Sequence, residues 1–347
     1  MSNFKKVVGI VYAYNAGNEF SMVRSLGIEW IRAGVPFPWS DRMYGTLSPK
    51  YIAAKEHIKA AHASGLKIMP STMGLGSYRF NKEEGTTRWH DSFPAFCGTP
   101  GSEEFYQNAK EACAFLARDL KGLVGPLWQH MNEIDEITFH GPYGLKIAAD
   151  TCRACAEGVM SADNSALCGT NLSKWHPAAL ETADILFRPG HSFAYLGDDQ
   201  YYGSWQSGTV EDWIDVINRF YDRYGLDVLA NEWGYSSGGA LVPEPNPTEK
   251  MPLGWISTCF KSGWHFQNKG GHTPEAAAEY LKRGLEIFAE HPHCIGSFMF
   301  CWKDAPACYH CGRSACPSEC FFGLMDKDLN PKPAYYAVKA AIDEYYK

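Results

Sequence analysis

Two acidic residues, Glu133 and Glu232, each close a short apolar run on the dipeptide Asn-Glu, in the strings WQHMNE and VLANEWG. A carboxyl at the end of a buried strand can donate a proton or act as a nucleophile, and two that face each other can do both to one bond. Glycoside hydrolysis with retention needs that pair. One carboxyl protonates the departing oxygen, the other attacks the anomeric carbon, and the two sit only ~5–5.5 Å apart. The acid needs a raised pKa, which burial and a neighbouring negative charge supply; its partner must stay ionised and needs hydrogen-bond donors. A lone Asn-Glu is an ordinary surface turn, so the weight falls on the spacing. The two glutamates lie 99 residues apart, roughly three strand–helix units at ~30 residues each. If the first ends strand 4 of a barrel and the second strand 7, both carboxylates emerge at its C-terminal mouth.

The rest of the chain supplies the elements such a barrel needs. KKVVGIVYAY reads as strand 1, GIEWIRAGVPF as strand 2, LKIMPSTMG as strand 3 and PLWQHMNE as strand 4. ALCGTNLS, FAYLGDDQYYGS, DVLANEWG and IGSFMFCWKD follow as strands 5 to 8. Between them run helix-like stretches with apolar residues at helical spacing, among them EEFYQNAKEACAFLARDLKG, TVEDWIDVINRFYDRYG and TPEAAAEYLKRGLEIFAEH; KPAYYAVKAAIDEYY closes the chain. The helix after strand 5 has the weakest pattern. The expected fold is α/β: a (β/α)8 TIM barrel with extended βα loops, forming one catalytic domain over residues 1–347. An open doubly wound sheet is the alternative.

On these strings the chain resembles the clan GH-A glycoside hydrolases, in which strand 4 ends in Asn-Glu and strand 7 in Glu. The likeness runs from the first strand to the closing helix. It implies that Glu133 is the acid/base, Glu232 the nucleophile, and Asn132 a donor to the substrate's 2-hydroxyl. It further implies that Arg32, closing strand 2 in WIRAGVPFPW, keeps the nucleophile ionised. Tyr202 in DDQYYGSW matches the strand-6 tyrosine that bonds the nucleophile, with Tyr201 as the alternative, and Gln200 stands where His or Asn is common. Trp302 matches the strand-8 tryptophan that floors the sugar subsite. The tail FGLMDKDLNPKPAYYAVKAAI resembles those of members acting on β-galactosides and β-glucosides. Ile134 stands where several families carry Pro, and Asp135 and Glu136 crowd the same loop, so the resemblance stops at the clan. A transglycosidase using the same pair, or a sugar-binding barrel without catalysis, stays open.

Composition narrows the partners. A net charge of -7 and a sequence pI near 6.0 argue against nucleic acid or an anionic membrane, while the resemblance implies a carbohydrate partner. The 11 Trp, 19 Tyr and 19 Phe lean toward a ligand whose C–H faces stack on rings, and Trp39 and Trp205 are the best-placed platforms. The start MSNFKKVVGIVYAYN lacks a signal-peptide pattern, so a cytoplasmic setting is expected. There the twelve cysteines would be free thiols or metal ligands. Four of them, Cys308, Cys311, Cys316 and Cys320, fall in CYHCGRSACPSEC, within a Cys-rich loop at about 303–322, and could hold one structural Zn²⁺. The proposed chemistry calls for no cofactor. Oligomeric state is not legible.

Overall fold

Eight parallel strands close on themselves in chain order in the computed structural model, which describes residues 5–12, 19–81, 84, 86–240, 256–308 and 311–347. They are β1 (Val7–Val11), β2 (Trp30–Val35), β3 (Lys67–Thr72), β4 (Leu127–His130), β5 (Leu167–Leu172), β6 (Tyr195–Gln200), β7 (Val228–Trp233) and β8 (Cys294–Met299). Strand β1 pairs with both β2 and β8, which completes the ring. This is a (β/α)8 TIM barrel. The helix after β5, the weakest in sequence, is present as Pro177–Leu186.

Parallel strands covered by helices are buried on both faces, and so read as near-continuous apolar runs. VVGIV and CIGSFM are such runs. The helices outside begin on recognisable caps: Ser48 accepts from Tyr51 N ahead of Pro49, Ser102 from Phe105 N, and Thr273 from Ala276 N ahead of Pro274.

Inside the ring, Val7, Trp30, Met69, Leu127, Tyr195, Leu229, Ile295 and Phe298 form one buried cluster, drawn from seven of the eight strands. This plug fills the barrel below its C-terminal mouth. It tolerates large rings because facing positions are small: a Cβ on Gly169 would lie 2.3 Å from the ring of Tyr195. The plug also fixes parity. On β6, Tyr195 points inward, so by the two-residue period of a strand Asp199 and Tyr201 do too, whereas Asp198, Gln200 and Tyr202 belong to the outer face.

Two elements were not evident in the sequence. A hairpin of Gly76–Asn81 against Thr86–Asp91 stands on the loop after β3, and a helix, Ile256–Phe266, follows β7. The latter's sequence, ISTCFKSGWHF, mixes β-branched residues and a glycine, which mutes its helical signature.

Candidate active site

Glu232 lies on β7, where regular alternation would point it outward. Leu229 belongs to the inner plug, which makes Asn231 the next inward residue. The register breaks there: Asp198 of β6 faces Ala230, but Asp199 already faces Glu232. A bulge of this kind inserts one residue and re-aims the next side chain. Asn231 fills the gap below, donating to Gln129 Oε1 at 2.7 Å. Glu232 thereby reaches Arg32, whose Nη1 donates to Glu232 Oε1 and whose Nη2 donates to Asn132 Oδ1 at 2.6 Å. Tyr201 donates its hydroxyl to Glu232 Oε2 at 2.6 Å. Both oxygens of this carboxylate are therefore held by donors. Burial works against the charge on Arg32, but Glu232 and then Asp199 overcome it and its pKa is raised.

Glu133 is treated the other way. The backbone turns sharply at the end of β4, with positive φ at Met131 (63°) and at Glu133 itself (37°), a conformation seldom adopted by side chains this large and one that collects at functional sites. Asn171 of β5 steadies the turn by accepting from Glu133 N at 3.3 Å and from Gln129 Nε2 at 2.7 Å. Burial first, then the charges of Glu232, Glu136 and Asp135, push the Glu133 pKa well above the usual 4.5, with Lys174 opposing. Glu133 is thus pushed toward its protonated form beside a carboxylate that is clamped. Asn132 spends its Oδ1 on Arg32, Asn171 and Gln129, which leaves its Nδ2 hydrogens as the donors it can offer.

Several expected residues sit elsewhere. Tyr201, not Tyr202, bonds Glu232; Tyr202 packs edge-on against Trp213 at 6.3 Å, as its outer parity requires. Gln200 shares that outer face and is buried, donating to Asp198 Oδ2 at 2.7 Å and accepting from Gln206. Trp302 is fully buried. The segment after it returns, Met325 N donating to Trp302 O at 3.0 Å, and the ring, with no exposed surface, offers no open floor for a subsite. Phe300, two residues earlier, is partly exposed and meets Tyr201 edge-on at 5.9 Å. Trp39 is 3% exposed, packed among Phe37, Tyr44 and Phe115, and offers no open platform. Trp205 stays partly exposed and donates from Nε1 to Glu319 Oε1 at 3.2 Å. Asp135 is buried and tied to Ser173 and, at 2.7 Å, to His176, which removes it from competition with Glu133.

Three polar residues of the site were missed. Asn171 bridges Asn132 and Asp199. Asp199 is a buried carboxyl whose pKa is raised well above normal by burial, then by Glu232 and Glu133. Glu319, from the loop after β8, is pushed up to about 8 by burial and then by Glu232. The first two could have been found by counting in twos from Tyr195 and along β5; Glu319 carries no comparable signal.

The cysteine cluster also differs from expectation. Cys259, Cys308, Cys311 and Cys316 bring their sulfurs together, all within 4.8 Å of one another. Cys320 is not of this set: its thiol donates to Arg313 O at 3.3 Å.

No family model matches the chain, and no curated protein sequence is significantly similar to it. Solved structures are. GH5_18 from Streptomyces cattleya, in complex with Manb1-4GlcNAc, superposes over 94% of this chain and 74% of its own, at 16% identity and a TM-score of 0.64. The Ignisphaera aggregans GH53 catalytic domain matches over 98% of this chain and 97% of its own, at 15% identity and a TM-score of 0.61. This is the barrel fold of glycoside hydrolases. A Bacteroides uniformis beta-glucuronidase shares it at 14% identity and a TM-score of 0.60, covering 99% of this chain, which spans only 35% of that enzyme's length. Within this barrel, Glu133 and Glu232 stand at the C-terminal ends of β4 and β7, the mouth where barrel enzymes place their chemistry.

Proposed function

We propose that the chain is a retaining glycoside hydrolase of the clan GH-A type that cleaves β-linked glycosides by double displacement. What supports this reading is the opposite treatment of two carboxyls over one mouth: Glu232 is held by Arg32 and Tyr201, while Glu133 is pushed toward its protonated form. Glu133 protonates the leaving oxygen as Glu232 attacks the anomeric carbon; the bond to the aglycone breaks and a glycosyl ester to Glu232 forms. Glu133, now a carboxylate, takes a proton from water, whose oxygen displaces Glu232 and frees the sugar. Asn132 offers its amide hydrogens to the 2-hydroxyl, and Phe300 and Trp205 are the aromatic surfaces on which a ring can rest. These steps call for no cofactor and no catalytic metal.

The site's carboxyl-rich lining favours a neutral sugar. Glu133, Asp199, Glu232 and Glu319 crowd it, and the cations within electrostatic reach, Arg32 and Lys174, are already paired with Glu232 and Glu136. Among the described residues no cation beyond those two is left to pair a buried uronate carboxylate. The acceptor of Manb1-4GlcNAc is therefore a closer guide to substrate than the beta-glucuronidase. A short neutral oligosaccharide met in the cytoplasm fits twelve cysteines none of which forms a disulfide.

The test is a set of aryl β-glycosides (galactoside, glucoside, mannoside, xyloside, fucoside and glucuronide) offered to the wild type and to Glu232→Gln. Turnover of at least one neutral glycoside, with the product first released in the substrate's anomeric form by NMR, supports the reading. Equal turnover by Glu232→Gln retires it, and preference for the glucuronide retires the neutral substrate.

A further inference from the structure

We propose that Cys259, Cys308, Cys311 and Cys316 form a tetrathiolate Zn²⁺ site that bolts the helix Ile256–Phe266 to the loop after β8. The four residues come from two segments 49 positions apart in sequence, yet every sulfur lies within 4.8 Å of the others. Zn–S bonds of ~2.3 Å put the sulfurs of a tetrahedron about 3.8 Å apart, so the cluster is already close to the size of its ion. A multi-iron cluster would spread the same thiolates further.

Packing alone does not account for the grouping. All four side chains are buried, at 0, 4, 2 and 0% exposure. Buried thiols offer one another only weak S–H contacts, and apolar residues would fill the space as well. The backbone treats one sulfur as an acceptor: Cys311 N donates to Cys308 Sγ at 3.3 Å, at a turn where Gly312 N donates to Cys308 O at 2.8 Å. Gly312 carries the positive φ (68°) that the turn needs. The second segment is pinned to the helix independently, Ser318 Oγ donating to Cys259 O at 2.6 Å. Four ligands all supplied by the protein close the coordination shell, so this is a structural ion and not a catalytic one.

The bolt has a consequence at the mouth. The last ligand, Cys316, is three residues from Glu319, which bonds Trp205, and Trp205 and Phe321 pack directly on the cysteine cluster. Phe322, next along, meets Tyr201 edge-on at 5.4 Å. The ion thus fixes the loop that walls one side of the Glu232 carboxylate. The metal site itself stands on the thiols alone, independent of the hydrolase reading.

The test compares metal content of the full chain, purified without a metal-affinity step, with that of Cys259→Ser and Cys320→Ser. We expect one zinc per chain in the wild type and in Cys320→Ser, and loss of zinc in Cys259→Ser. Should Cys259→Ser fail to fold, cobalt exchanged into the wild type and into Cys320→Ser decides the matter. Both should show the same thiolate-to-cobalt charge-transfer intensity, with the d–d bands of a tetrahedral ion. Hydrogen exchange should show that chelation exposes 256–266 and 311–322 while the barrel strands keep their protection. The proposal is overturned by a wild type that holds no metal or holds iron, or by zinc retained in Cys259→Ser and lost in Cys320→Ser.

Discussion

The barrel mouth and the cysteine cluster face the same electrostatic problem and meet it differently. Each gathers ionisable groups of one sign into a largely desolvated space, where an uncompensated charge is costly. At the mouth the relief is internal. Arg32 neutralises Glu232, and burial drives the pKa values of Glu133 and Asp199 upward, favouring their protonated forms. Around Cys259, Cys308, Cys311 and Cys316 the structure groups four buried sulfurs, and in our proposal a bound ion takes the place of their protons. The contrast teaches what each region is for. A site that must move a proton keeps one on a carboxyl; a site that only has to hold still can exchange its protons for a metal.

The sharpest break in this comparison is at Glu232, which no neighbour can replace because both of its oxygens are already committed to Arg32 and Tyr201. Glu232→Gln should lower kcat by roughly 10⁴–10⁶-fold, the range seen when a covalent nucleophile is removed. Circular dichroism should show the barrel unchanged. Loss smaller than tenfold would assign the nucleophile elsewhere.

Next comes the proton on Glu133. Glu133→Gln should cost ~10²–10⁴-fold on glycosides with poor leaving groups and much less on activated aryl glycosides, which need little protonation to depart. The pH profile of kcat/KM separates this from a structural effect. The wild type should lose activity on its alkaline side as Glu133 ionises, and the variant should lose that limb. A variant that keeps the alkaline limb would mean that another group is the acid.

Tyr201 and Tyr202 offer a finer test, because they are adjacent just past the end of β6 and point to opposite sides. A hydrogen bond to a charged acceptor is worth about 1.5–3 kcal/mol, so Tyr201→Phe should slow the reaction by roughly 10–150-fold. Tyr202→Phe, whose ring packs on Trp213, should stay within about threefold. Reversal of that order in steady-state kinetics would overturn the parity argument.

That pair also marks how far the sequence could be read. The eight strands and both catalytic candidates were legible because strand-end Asn-Glu and apolar runs are local signals. Orientation within a strand was legible in principle: once Tyr195 is known to point inward, Asp199 and Tyr201 follow and Gln200 does not. Nothing local reveals which residue of β6 starts the count, and nothing in VLANEWG announces the bulge that re-aims Glu232. Trp302 and Trp39 carry no mark of the segments that cover them. Cys259 was out of reach for a plainer reason. Its partners are about fifty residues downstream, and the nearer Cys320 completed a more compact string.

The smallest expected effect links the site back to the stability of the fold. Glu133 has its pKa raised above the 4.5 of a free glutamate. Below that pH the folded and unfolded chains both carry the proton, and the group's contribution to stability is fully present. As pH rises from 4.5 toward the raised native value, the unfolded chain releases its proton while the native state does not, so that contribution is lost. Glutamine has no proton to release. The Tm of Glu133→Gln minus that of the wild type should therefore grow as pH is raised from about 4 to about 7, so that an inactive variant outlasts the active enzyme at neutral pH. Scanning calorimetry at the two pH values decides it. A difference that narrows with rising pH would mean that Glu133 gains more from its surroundings as a carboxylate than as an acid, and the proton-donor role would have to pass to another residue.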